Sequence, residues 1–213
     1  GALAGFAFHL LSLYWIGNTQ GGGAAVVFGA VLGAAWLSLF TGAFALSQSL
    51  LLRRFGGNAL LAAPILWTAM EYTLSMGELG FPWLLLAHSQ AGFPLLLQHA
   101  TVTGAYGVSF VIVLTAALIA VAILRERGGI WLLAATAVPA SVLIIGLLSM
   151  EPGDDGDVRV AVVQNNMGLA KWQAGGLEAS LASLAALSRQ ALSSSPQPDL
   201  IVWPETAVPC NLG

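Results

Sequence analysis

The chain has 213 residues, of which 57% are hydrophobic and 8% charged, and its formal net charge is −3. Ordinary soluble domains carry roughly a quarter charged residues, so this composition excludes disorder and most soluble folds. Charge is also uneven: residues 1–150 hold Arg53, Arg54, Arg125 and Arg127 against Glu71, Glu78 and Glu126, whereas residues 151–213 hold Arg159, Lys171 and Arg189 against seven acids. The first part reads as a membrane domain and the second as soluble. No basic cluster points to a nucleic-acid partner.

Gly1 opens inside an apolar run without an initiator methionine, and Gly213 follows soon after a strand, so the sequence reads as a piece of a longer protein. The first stretch lacks a basic leader and is not a signal peptide. About five membrane helices are expected, each needing ~20 mostly apolar residues. The first runs from about Ala2 to Ile16, with Tyr14 and Trp15 suited to an interfacial belt. After the polar, glycine-rich turn from Asn18 to Gly23 comes a second, Ala24 to Leu52, long enough to tilt. Its Gly29-x-x-x-Gly33 permits close helix contact. The stretch Gly21-Gly22-Gly23 is no phosphate loop, since no strand precedes it and no lysine follows.

The third helix covers about Ala59 to Met76, the fourth Val102 to Leu124 and the fifth Ile130 to Met150. A less regular stretch, Gly77 to Thr101, carries Pro82, Pro94, His88, Gln90, Gln98 and His99. Arginines mark the cytoplasmic side. The turns at Arg53-Arg54 and Arg125-Glu126-Arg127 are therefore expected inside. The Gly77–Thr101 stretch and everything after Met150 are then outside. Glu71 lies within a helix, where an acid is costly; it is either functional or hydrogen-bonded inside the bundle. Neither His88 nor His99 has metal-ligand spacing with a Cys or an acid, and the single cysteine, Cys210, allows no zinc cluster. No metal and no cofactor is expected.

Residues 151–157 form an acidic linker. Residues 158–213 follow as the N-terminal part of a second, incomplete domain. Val158 to Gln164 reads as a buried strand and Asn165 to Gly176 as a polar loop. Leu177, Leu181, Leu184, Leu187 and Ala191 share one face of a helix over about Gly176 to Leu192. A second strand, Asp199 to Trp203, ends at Pro204, which has no N–H for a ladder and holds Trp203 extended. The three elements make a βαβ unit, too small and too exposed at its edges to form a stable layer alone. The fold class is thus a multi-pass α-helical bundle followed by the start of an α/β domain. Glu205 is delivered at the carboxyl end of a strand, where open α/β sheets bind ligands. It is either a site residue or a surface acid just past a strand. Lys171 and Trp172 lie in the loop that opens at the same edge.

Val160-Ala161-Val162-Val163-Gln164-Asn165-Asn166, Lys171-Trp172 and Asp199-Leu200-Ile201-Val202-Trp203-Pro204-Glu205-Thr206-Ala207-Val208-Pro209 resemble the opening of a nitrilase-type domain. In the membrane part, Glu71-Tyr72, Gly80-Phe81-Pro82-Trp83, Ser89-Gln90 and Gly104-x-x-Gly107-Val108-Ser109-Phe110 resemble bacterial apolipoprotein N-acyltransferases. The resemblance implies an αββα sandwich with a Glu, Lys and Cys triad, set on the periplasmic side of the bacterial inner membrane. Glu205 matches the catalytic Glu and Trp172 a tryptophan near the substrate site. The implied reaction moves a fatty acyl chain from a phospholipid, through a cysteine thioester, to the α-amino group of a diacylglyceryl apolipoprotein. Its partners are the phospholipid donor, the apolipoprotein acceptor and the surrounding membrane lipids. The family's Lys and Cys fall beyond Gly213, so residues 1–213 alone are expected to be inactive. Cys210 lies five residues after Glu205, whereas the family draws its nucleophile from a later strand. Relatives often carry an Arg where this chain has Leu74. Two other readings remain: a membrane-anchored carbon–nitrogen hydrolase (amidase), in which water resolves the thioester, and a non-catalytic membrane scaffold.

Overall fold

The computed structural model describes residues 1–19, 22–125, 128–149, 156–205 and 207–208. They belong to two compact units, Gly1–Glu151 and Pro152–Gly213.

The first unit is helical. Helix α1 spans Ala2–Ser12 and continues as a 3-10 turn at Tyr14–Asn18; α2 spans Gly23–Phe55. The two pack antiparallel through small residues: a Cβ at Gly5 would collide with Thr41, and Gly42 faces Ala2. Absent side chains let the backbones approach, which is how membrane helices gain contact area. Helix α2 stops at Gly56, whose φ of 65° and ψ of −160° suit glycine alone. The chain then returns through a 3-10 stretch, Gly56–Ala62, into α3, Ala63–Leu74. Gln48 Nε2 donates to the Ala59 carbonyl at 2.8 Å, and the Phe44 and Trp67 rings meet edge-on at 5.0 Å, so α2 and α3 form a hairpin.

After two short 3-10 turns, Pro82–Leu84 and Leu86–Gln90, come the single turn α4 (Pro94–Leu97), then α5 (Ala100–Leu124) and α6 (Gly129–Ser149). Helix α5 is broken at Gly104, φ 66° and ψ −176°. Helix α6 carries Pro139, and its Gly146 lies so close to the Leu95 carbonyl that any Cβ would overlap it. Arg125 Nη2 donates to Asn58 Oδ1, so the turn after α2 and the turn after α5 meet at one end of the unit.

Among the described residues, three stretches are long and apolar enough to cross a bilayer: Gly23–Leu74, Ala100–Leu124 and Gly129–Ser149. The sequence reading expects five. The difference has local causes. Gly23–Leu74 is the α2–α3 hairpin and contains two of the expected helices, of which α3 is α-helical for only 12 residues because 3-10 structure precedes it. Within residues 1–213 the first expected helix is α-helical over Ala2–Ser12 and passes into a 3-10 turn at Tyr14–Asn18. Gly29 and Gly33 permit a close helix contact, and among the described residues nothing lies within 4 Å of where their Cβ atoms would be.

The second unit contains a parallel pair, β1 (Val160–Val162) and β2 (Leu200–Val202), with Val160 opposite Leu200 and Val162 opposite Val202. Between them run a 3-10 turn, Gly168–Trp172, and helix α7, Gly176–Leu192. The expected strand–helix–strand order is present. Of the face read from sequence, Leu184 is buried, Leu177, Leu187 and Ala191 are half-buried and Leu181 is exposed, while Gly176 and Ser180 are buried beside it. Gly176 sits against the carbonyls of Ala170 and Lys171, where no side chain fits. Val160, Val162, Leu200 and Val202, which share one face of the pair, are all exposed.

Candidate functional site

In the first unit, motifs scattered in sequence converge on the irregular segment 82–90. Glu71, 2% exposed, accepts the Leu86 backbone N–H at 2.7 Å and Trp67 Nε1–H at 2.9 Å, both through Oε1. Ser109, fully buried on α5, accepts the Ala87 N–H at 3.1 Å. Ser75 Oγ and the Tyr106 hydroxyl lie 2.6 Å apart, and the Tyr72 and Tyr106 rings meet at 5.7 Å. Buried backbone amides need a partner, and Glu71 and Ser109 supply one to each of two consecutive amides of this segment. Glu71 is therefore hydrogen-bonded inside the bundle, one of its two readings from sequence. His88 Nδ1 donates to the Trp83 carbonyl at 2.9 Å, and Trp83 stacks on Trp15 at 6.2 Å. His99 is buried. Leu74 packs with Leu13 and Leu37 in an apolar cluster. A cleft of about 520 Å³ runs beside this segment, lined by Phe8, Phe44, Trp67, Trp83 and Leu84 among others.

In the second unit, Glu205 is exposed and follows β2 by three residues. Hydrogen bonds flank it on both sides. The ladder reaches Val202, whose carbonyl accepts from Val163 N–H at 2.9 Å. Trp203 Nε1 donates to Ser188 Oγ on α7 at 2.9 Å. The Ala207 N–H donates to the Pro204 carbonyl at 3.1 Å and closes a turn around Glu205. Ser180 Oγ donates to the Ala207 carbonyl at 2.9 Å and accepts from Asn165 Nδ2 at 2.9 Å.

Trp172, 60% exposed, ends the 3-10 turn in the loop after β1, and Lys171 Nζ lies 5.5 Å from its ring centroid. This loop and the Glu205 turn leave the same edge of the parallel pair, as the spacing predicts. Among the described residues no hydrogen bond or ring contact joins Trp172 to Glu205. Cys210, Thr206, the acids at 151–155 and the pair Glu126–Arg127 lie outside the described residues. No group of three His, Cys, Asp or Glu side chains among the described residues is arranged for a metal. Ser180 and Ser188 are absent from the sequence reading. Their signal was their i, i+8 spacing through Leu184 on one helix face, which the neighbouring leucines masked.

Residues 1–118 match the family model described as the apolipoprotein N-acyltransferase N-terminal domain. Similar curated proteins bear the name apolipoprotein N-acyltransferase. The one from Geobacter metallireducens is 33% identical over 167 residues, 72% of this chain and 31% of the relative. The one from Shewanella oneidensis is 32% identical, over 70% of this chain and 28% of the relative. The one from Brucella suis is 33% identical, over 96% of this chain and 41% of the relative. The chain thus spans roughly a third of the length of the relatives it matches. With more than half of its residues inside the family model, the chain belongs to the apolipoprotein N-acyltransferase family.

Proposed function

We propose that the protein transfers a fatty acyl chain from a phospholipid to the α-amino group of a diacylglyceryl-cysteine at the start of an apolipoprotein. The reading assigns Glu205 as general base. Its carboxylate takes the proton of a cysteine thiol supplied from outside residues 1–213, and the thiolate attacks the ester carbonyl of the phospholipid. A lysine, also from outside these residues, stabilises the tetrahedral oxyanion. The carbon–oxygen bond breaks, lysophospholipid leaves with a proton, and the acyl chain remains as a thioester. The lipoprotein amine then attacks. An amide forms, the amine's proton passes by way of Glu205, and the thiol is regenerated.

The observation that carries this reading is the closed turn holding Glu205 at the carboxyl edge of a parallel strand pair, in a chain of this family. The edge is where α/β sheets gather ligands, and this unit is read as the start of a nitrilase-like sandwich. Trp172, exposed on the adjacent loop, is assigned to substrate contact. The meeting of the two arginine turns at one end supports a cytoplasmic placement for that end. The second unit then lies on the periplasmic face of the inner membrane, where both lipid substrates are within reach.

The test is Glu205→Gln in the full-length protein. The variant should insert normally yet form no hydroxylamine-labile acyl adduct when given phospholipid. Unchanged adduct formation would remove Glu205 from the mechanism, and an adduct released only as free fatty acid, with no acylated lipoprotein, would mark a hydrolase.

A further inference from the structure

We propose that Ser180 and Asn165 are positioning residues for Glu205. The inference rests on the reading of Glu205 as the base and goes beyond it, because neither side chain touches substrate.

The argument starts from what a short turn needs in order to hold a carboxylate still. Glu205 has no hydrogen bond of its own among the described residues, so its position is set by its backbone. Before it, the backbone is fixed by the β2 ladder and by the Trp203–Ser188 bond. After it, the turn closes through the Ala207 N–H, and among the described residues the Ala207 carbonyl is anchored by Ser180 alone. Ser180 and Ser188 stand two helical turns apart on α7, so one rigid helix grips the turn on both sides. Asn165, in the loop after β1, donates to the same hydroxyl and leaves its proton directed at Ala207. The hydroxyl is fully buried, so water has no access to substitute for it. The loop that bears Trp172 and the turn that bears Glu205 are thereby joined through a single oxygen.

Removing that oxygen frees the distal half of the turn while the ladder stays intact. Misplacement by about 1 Å lowers rates on the order of 100-fold, so Ser180→Ala in the full-length protein should lower kcat by about 10- to 100-fold. KM for the phospholipid should stay within about twofold, since uniform binding is untouched. Asn165→Asp replaces the donor with an acceptor that competes for the Ser180 proton, and it should lower kcat in the same way. It is also the fallback should the Ser180 variant not fold.

The decisive measurement is a double-mutant cycle on the rate of acyl-adduct formation with Glu205→Asp, which retains a weakened base. Positioning predicts that Ser180→Ala costs far less in the Glu205→Asp background than in the parent. A purely structural serine would lower the yield of folded protein, leave kcat per folded molecule unchanged, and show additive effects. Either of the last two results overturns the proposal, and a lower yield alone moves the same cycle to Asn165→Asp. Full activity of Glu205→Gln would instead overturn the assignment of the base itself, so the two failures are distinguishable.

Discussion

Glu71 Oε1 lies 2.7 Å from the backbone nitrogen of Leu86, a residue 15 positions later in a segment with no α-helical hydrogen bonds of its own. An acid inside an apolar unit thus serves as a backbone acceptor. Deleting it strands both the Leu86 N–H and the Trp67 indole N–H, each at about 1–3 kcal/mol. Glu71→Ala should lower the detergent melting temperature markedly, and Glu71→Gln, which keeps a carbonyl oxygen at the same reach, should recover most of the loss.

Ser109 makes the neighbouring contact from the other side, to the Ala87 N–H. Ser109→Ala leaves one buried amide unpaired and should cost about 1–3 kcal/mol. Because Leu86 and Ala87 are adjacent, Glu71→Ala and Ser109→Ala should couple rather than add. A cycle of thermal melts on the four proteins reads this directly, and strict additivity would mean that the segment is held elsewhere.

Gly104 interrupts α5 with a positive φ and extended ψ, a region that side chains avoid. Gly104→Ala should destabilise by about 1–3 kcal/mol. Gly29→Ala, at a position with open space around its missing Cβ, should be neutral or slightly stabilising, since alanine favours the helix by about 1 kcal/mol. Parallel melts of the two variants separate a glycine needed for conformation from one that is not.

Orientation is open to direct chemistry. In a full-length background with every native cysteine replaced, Cys210 included, Asp157→Cys should react with a membrane-impermeant thiol reagent on intact spheroplasts. Gly57→Cys, beside Arg53 and Arg54, should react only after permeabilisation. The reverse pattern would place Glu205 on the cytosolic side and end the proposed role.

Legibility followed the range of the interactions involved. Helix α7 and the two strands could be read because periodicity and the stop at Pro204 are local signals. Helix α3 was overestimated because hydropathy does not distinguish 3-10 from α geometry over Gly56–Ala62. The open face at Gly29 and Gly33 could not be foreseen, since a glycine pair permits close approach without supplying the helix that approaches. Glu71 and Ser109 each stand within a motif, but their meeting at the amides of Leu86 and Ala87 was not legible. It depends on side chains meeting main-chain amides 15 and 22 positions away, and a backbone donor leaves no mark in a sequence.

The outward row of Val160, Val162, Leu200 and Val202 governs how this enzyme family member can be handled at the bench. A ribbon of two strands with an oily side open to water invites other ribbons to cover it. Residues 156–208 expressed by themselves should therefore clump, and turnover measurements on Glu205 call for the whole polypeptide in lipid.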